Sequence, residues 1–212
     1  MNIWVVIPAY NEENTILEIV NKIRLYLQNI IVVDDFSTDN TLEILKKLRV
    51  STLNNSENIG YVRSLERGLN YAFCKGADFC ITFDADGQHD PADLKEFKNI
   101  IEKKKPDFVV GRRKYKNRIM EEVIGFYTKL RYGISDPLCG LKAFKKNYFE
   151  NYGCLEKTYT IGTEIIFKGL KQGAKYAEIE IKSNKRRGSA RFGNTIKGNV
   201  LEVVTLLNIL RV

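Results

Sequence analysis

One histidine, His89, and four cysteines, Cys74, Cys80, Cys139 and Cys154, none in a C-x-x-C pair, leave almost no ligand supply for a structural zinc site. The cysteines read as reduced core thiols. No apolar run reaches the ~20 residues that cross a bilayer. The most apolar stretch, Val200 to Leu210, is broken by Glu202, Thr205 and Asn208 and reads as a helix that docks on the core or lies on a membrane surface. The basic start and small-residue cleavage site of a secretory signal are missing, so the cytoplasm is the expected compartment. Nor is there a linker, a low-complexity tract or a repeat of solenoid period, and 212 residues suit one domain spanning 1–212.

What the chain does have is an excess of positive charge, 34 Lys and Arg against 26 Asp and Glu, for a formal net charge of +8. That balance suits an anionic partner, whether a phosphate-bearing ligand, nucleic acid or an anionic membrane surface, and does not choose among them. The placement of charges must decide.

Three apolar runs, Ile3 to Ile7, Ile30 to Val33 and Phe79 to Phe83, are rich in β-branched or aromatic residues and each stops at Pro or Asp, as buried parallel strands do. Between the first two, Glu12 to Leu27 carries apolar residues at helical spacing, with Asn11 as its expected N-cap. Ser37-Thr38-Asp39-Asn40 offers a cap for a second helix through Leu42, Ile44, Leu45 and Leu48, and Asn58-Ile59-Gly60 precedes a third from Val62 to Cys74. This alternation predicts a doubly wound sheet with right-handed crossovers, whose ligands bind beyond the carboxyl ends of the strands. Later come a strand at Phe108-Val109-Val110, a basic stretch from Arg112 to Arg118, a helix from Met120 to Tyr132 and a glycine-punctuated segment from Asp136 to Phe144.

The third apolar strand delivers Asp84 and Asp86 to its carboxyl end, with Gly87 for a tight turn and Gln88 adding an amide oxygen. Hard oxygen donors suit Mg²⁺ or Mn²⁺, which bind through one or two carboxylates and complete their shell with substrate phosphates. An acidic turn is the plainer reading of the same residues. Asp34-Asp35 follows the second strand and Pro8-Ala9-Tyr10-Asn11-Glu12 the first, so three strand ends converge on one rim. Carboxylates there can accept hydrogen bonds from ribose hydroxyls or base nitrogens, and Tyr10 can stack on a base, although each also serves as a turn or cap.

The order Pro-Ala-Tyr-Asn-Glu, Val-Asp-Asp-x-Ser-x-Asp-x-Thr, Asn-x-Gly and Asp-Ala-Asp-Gly-Gln-His resembles family 2 glycosyltransferases of the GT-A fold over nearly the whole chain. With Gly111-Arg112-Arg113 and Asp136-Pro137-x-Cys139-Gly140-x-Lys142-x-Phe144, it most resembles the dolichyl-phosphate mannose, glucose and N-acetylglucosamine synthases. The resemblance implies an α/β GT-A fold, a Rossmann-like mixed and mainly parallel sheet with helices on both faces. Residues 1–110 would form the nucleotide-sugar half and 111–212 the acceptor-facing half. It implies that Pro8, Tyr10, Glu12 and Asp35 hold the nucleoside, and that Asp84 and Ala85 contact the nucleotide-sugar. Asp86 and Gln88 would bind the metal with the donor diphosphate, Asp84 lying between metal water, ribose and sugar. Arg113, with Lys129 or Arg131, would face the acceptor phosphate. The family's basic tail appears altered as Lys185-Arg186-Arg187-Gly188-Ser189-Ala190-Arg191, where Arg187 and Arg191 would cap the diphosphate.

The activity so implied is inverting, metal-dependent transfer of a sugar from GDP-mannose, UDP-glucose or UDP-N-acetylglucosamine to dolichyl or polyprenyl phosphate. A phosphate acceptor is already anionic at neutral pH and needs positioning by Arg rather than a strong base. This agrees with a second half in which Thr160-Ile161-Gly162-Thr163-Glu164-Ile165 supplies only Glu164, whose simplest reading is a carboxylate at a helix start. Transfer to a glycan or protein hydroxyl would instead need Glu164 as base. The basic stretch and terminal apolar helix imply peripheral attachment on the cytoplasmic face of the membrane. Nucleic acid is not an expected partner; that reading would reduce the acidic motifs to caps and turns and predict salt-sensitive binding.

Overall fold

The computed structural model describes residues 1–116, 119–152 and 162–182. Seven strands form one sheet in the order β3-β2-β1-β4-β6-β5-β7. The strands are β1 (Ile3–Ala9), β2 (Asn29–Asp34), β3 (Ser51–Asn54), β4 (Phe79–Thr82), β5 (Phe108–Arg113), β6 (Lys142–Lys145) and β7 (Tyr176–Ile181). All pairings are parallel except those of β6, which runs antiparallel to both β4 and β5. The four expected strands are β1, β2, β4 and β5, and the mixed, mainly parallel sheet agrees with the expected fold class.

Helices α1 (Ile16–Ile23), α2 (Thr41–Leu48) and α4 (Asp93–Lys104) cover one sheet face. Their Ile16, Ile19, Val20, Ile23, Leu45, Leu94, Phe97 and Ile101 pack with Val5, Ile7, Val32 and Ile81. Helix α3 (Tyr61–Cys74) covers the other face with α6 (Lys146–Tyr152) and α7 (Thr163–Lys171), packing Leu65, Leu69, Phe149 and Ile165 on Val6, Ile31, Cys80 and Phe144. Alternate strand residues thus feed opposite cores, as the two-residue period of a strand requires. Helix α5 (Ile119–Tyr132) packs beside α7 through Ile124 and Phe167. Where α3 passes close over the sheet, Gly68 is the only fit: a Cβ there would meet a Val6 methyl at 2.4 Å.

Two expectations are corrected. The first helix starts at Ile16, not Glu12, because residues 11–13 tie the β1–α1 loop to the β2–α2 loop. Asn11 takes a left-handed φ of 54°, and its Oδ1 accepts from the Thr38 N–H at 2.8 Å, so it caps no helix. Glu12 N–H donates to Thr41 Oγ1 at 2.8 Å and Asn40 N–H to a Glu13 carboxylate oxygen at 3.1 Å. Of the cysteines, Cys80 and Cys139 are buried free thiols, whereas Cys74 at the end of α3 is exposed rather than core. Cys154 and the expected apolar helix over Val200 to Leu210 lie outside the described residues. Among the described residues no helix is long and apolar enough to cross a membrane.

Candidate active site

Strand β1 pairs with β4 only from Ile3 to Val6, and the strand order reverses between them, which opens the crevice where doubly wound sheets bind ligands. Asp84 and Asp86 stand at its rim, 6% and 2% exposed. Gly87 follows with a φ of 77°, a turn conformation that suits glycine. The Asp86 Oδ1 accepts from the Gln88 N–H at 3.0 Å, folding the loop back and placing Gln88 beside it.

Asp84 is held from several sides. Tyr61 at the start of α3 donates its hydroxyl to Asp84 Oδ1 at 2.6 Å, and His89 Nε2 lies 3.4 Å from Oδ2. Phe83 packs edge-on against the His89 ring, whose Nδ1 is buried without a partner among the described residues. Gly140 closes the third side: a Cβ there would lie 2.6 Å from Asp84 Oδ2, so a larger residue would displace the carboxylate. Ala85 is fully buried in the core beneath the loop.

The rim near β1 and β2 is organised by the same helix. Asp35 is 4% exposed and accepts from the Ile59 N–H (2.9 Å), the Gly60 N–H (2.9 Å) and the Asn55 side-chain amide (2.8 Å). Asn55 in turn donates to Ser64 Oγ at 2.8 Å. The start of α3 therefore holds both the Asp35 and Asp84 carboxylates, one through backbone N–H groups and one through Tyr61. Pro8 is buried in β1, Tyr10 at the strand's end is 46% exposed and available for stacking, and Glu12 accepts from Thr15 Oγ1 at 2.8 Å. The structure thus brings Tyr10, Asp35, Asp84, Asp86 and Gln88 to one rim.

Arg113, at the end of β5, sits in a different setting. Its backbone N–H and Nε donate to Asp136 Oδ2 at 3.0 and 2.8 Å, its Nη2 to Oδ1 at 2.9 Å, and Nη2 lies 3.4 Å from Glu121. Burial alone would lower the guanidinium's pKa, but the Asp136 hydrogen bonds and the charges of Asp136 and Glu121 outweigh it and raise it. Lys142 in β6, fully buried, is pushed down to about 8 by desolvation, against the opposing pull of Asp136 and Asp84. Cys139 beside it is pushed up to about 12, chiefly by burial and next by Asp136, so its thiol is unreactive. Lys129 and Arg131 are exposed near the end of α5, about 12 and 15 Å along the helix from Glu121. They are not gathered with Arg113 in this arrangement. Glu164 stands in the first turn of α7, in keeping with the helix-start reading. Arg187 and Arg191 lie outside the described residues.

Tyr61, Gly140, Glu121 and Lys142 are parts of the site that sequence reasoning passed over. Tyr61 showed only as the residue before an expected helix. The Asp136-to-Phe144 segment was noted for its glycines, while the contact of Gly140 with Asp84 spans 56 positions and has no local signature.

The family model described as Glycosyl transferase family 2 matches residues 4–153. The UDP-N-acetylglucosamine–dolichyl-phosphate N-acetylglucosaminyltransferase of Methanococcus voltae is 32% identical, over 85% of this chain and 85% of that protein. The dolichol-phosphate mannosyltransferase of Pyrococcus furiosus is 29% identical over 84% of this chain and 54% of its own length. Among solved structures, glucosyl-3-phosphoglycerate synthase of Mycobacterium tuberculosis, in complex with Mn²⁺, UDP and glucosyl-3-phosphoglycerate, superposes with a TM-score of 0.76 at 18% identity, covering 98% of this chain and 79% of that one. With the crevice and its carboxylates in place, these matches show that the chain belongs to glycosyl transferase family 2.

Proposed function

We propose that the protein transfers a sugar from a nucleotide-sugar to a polyprenyl or dolichyl phosphate, with inversion at the anomeric carbon. The observation that carries this reading is the buried carboxylate pair Asp84 and Asp86 at the crevice, in a chain whose relatives are named for lipid-phosphate acceptors. Tyr10 stacks on the base while the β1 and β2 strand ends, Glu12 and Asp35 among them, surround the nucleoside. Asp84, fixed by Tyr61 and His89, faces the ribose and the sugar.

The donor set suits a divalent cation: two carboxylates and one amide oxygen, all hard, with Asp86 and Gln88 folded onto one turn. Asp86 and Gln88 would hold Mg²⁺ or Mn²⁺, which supplies charge neutralisation for the departing nucleoside diphosphate. The chain's own groups position the donor so that the acceptor oxygen attacks in line, and the low-dielectric crevice strengthens every charge interaction within it. Attachment to the cytoplasmic face of a membrane is peripheral in this reading, through the basic stretch that begins at Arg112.

The test is incubation with polyprenyl phosphate and Mn²⁺ in the presence of labelled UDP-N-acetylglucosamine, UDP-glucose or GDP-mannose. Labelled lipid with one donor is the expected outcome; none with any donor would overturn the lipid-phosphate reading.

A further inference from the structure

Helix α5 is apolar on two opposite sides. Its inner side buries Glu121, Ile124, Gly125 and Thr128 against the domain. Its outer ridge carries Ile119, Val123, Phe126 and Leu130, which are 79%, 46%, 67% and 74% exposed. At 3.6 residues per turn these four fall within an arc of about 60°, centred opposite the buried side, and run for ~16 Å. Surface helices of soluble domains place charged and polar residues at that position. Single exposed apolar residues need no explanation, but four large ones aligned on one ridge mark a surface that something covers.

Charge identifies the cover. Lys114, Lys129 and Arg131, all exposed, lie beside the ridge or its approach, and Tyr115, 72% exposed, precedes it with the Lys114 ammonium over its ring. The one exposed acidic residue of the helix, Glu122, is already within 3.3 Å of the Lys116 ammonium. An apolar ridge with a cationic margin and an aromatic at its start matches an anionic bilayer surface, where apolar side chains enter the headgroup boundary while Lys and Arg meet the phosphates.

We propose that the outer ridge of α5 docks the protein flat on an anionic membrane. This rests on the lipid-phosphate reading, which it deepens. The opposite side of the same helix presents Glu121 to Arg113, so docking would set the β5 end of the crevice at the depth of the lipid phosphate.

The experiment is flotation of the full chain with phosphatidylcholine vesicles with and without phosphatidylglycerol, beside the triple variant Ile119→Ser, Phe126→Ser, Leu130→Ser. The parent floats with the anionic vesicles, and the variant loses about tenfold of that partitioning while keeping its thermal midpoint and its calorimetric binding of UDP with Mn²⁺. Four results overturn the proposal. They are a parent that stays in solution with both vesicles, a variant that floats as the parent does, a parent dimer that the variant disperses without vesicles, and a fall of several degrees in the variant's midpoint, which would mean that protein covers the ridge. Transfer to a short-chain, water-soluble polyprenyl phosphate is read in parallel. Ridge-dependent flotation without any transfer would sink the acceptor reading and leave the docking standing, whereas transfer in solution without flotation would do the reverse.

Discussion

The two ends of the crevice handle charge in opposite ways. At the β2 and β4 ends, the Asp35 carboxylate is held by backbone N–H groups and a side-chain amide and Asp84 by a tyrosine hydroxyl, with His89 close by. The neutral donors fix the geometry and leave the negative charge in place, which is what a site for a cation and sugar hydroxyls requires. At the β5 end, Arg113 meets Asp136 and Glu121, and Lys142 is buried close enough to feel Asp136 and Asp84. There the charges are matched inside the protein. The first end is built to receive a ligand, the second to hold the acceptor half on the sheet.

The strongest way to break this contrast is to remove charge at the first end. Asp86→Ala is expected to lower kcat/KM by about 10²–10³-fold or more, the scale of losing one oriented electrostatic group, and to abolish Mn²⁺-dependent UDP binding in calorimetry without a matching loss of thermal stability. Stability should respond at the second end instead. Asp136→Ala leaves Arg113 facing Glu121 alone in a mostly buried position and is expected to cost about 3–5 kcal/mol in urea unfolding; a cost below about 1 kcal/mol would mean the pair is structurally idle.

Between these lies Tyr61→Phe, which removes one hydroxyl and keeps the ring. It is expected to raise KM for the nucleotide-sugar or lower kcat by about tenfold, while costing only ~1 kcal/mol of stability. Equal losses in activity and stability would argue that Tyr61 merely packs.

The smallest effect concerns Lys142, whose folded-state pKa is about 8 against an ordinary 10.5. The folded chain holds this proton more weakly than the unfolded chain. Between about pH 8 and 10.5 the unfolded state therefore binds more protons, and stability at this position rises with pH; below about 8 both states are charged and the penalty is complete. The difference in unfolding free energy between the parent and Lys142→Met should climb over that window and stay flat below it.

The first end was legible in the sequence because its parts follow apolar strands. Val33, Phe83 and the residues around them announce where a buried strand stops, and whatever polar group comes next lies on the rim. The second end was not. Strand β6 begins with Lys142 and follows glycine-punctuated chain, so its four residues lack the β-branched run of a central strand, and its antiparallel direction leaves no local trace. Edge strands β3 and β7 were hidden for a related reason: Ser51, Thr52 and Asn54, or Glu178 and Glu180, suit an edge that meets water but dilute the apolar pattern. Arg113 was singled out, whereas its partner Glu121 read as one more acidic residue at a helix start, because the pairing depends on how α5 turns its inner side to β5.

The start of α3 grips the loop after β2 and the loop after β4 at once, through Gly60 and Tyr61, neighbours in the chain. It acts as a gauge block. The interval from the Asp35 carboxylate to the Asp84 carboxylate is cut to one length by a rigid helix end, so every donor must present the same span from nucleoside to diphosphate. Choice among sugars then falls to residues beyond Asp84, and exchanging a donor's hexose calls for changes around Gly140 and His89 while the gauge itself stays untouched.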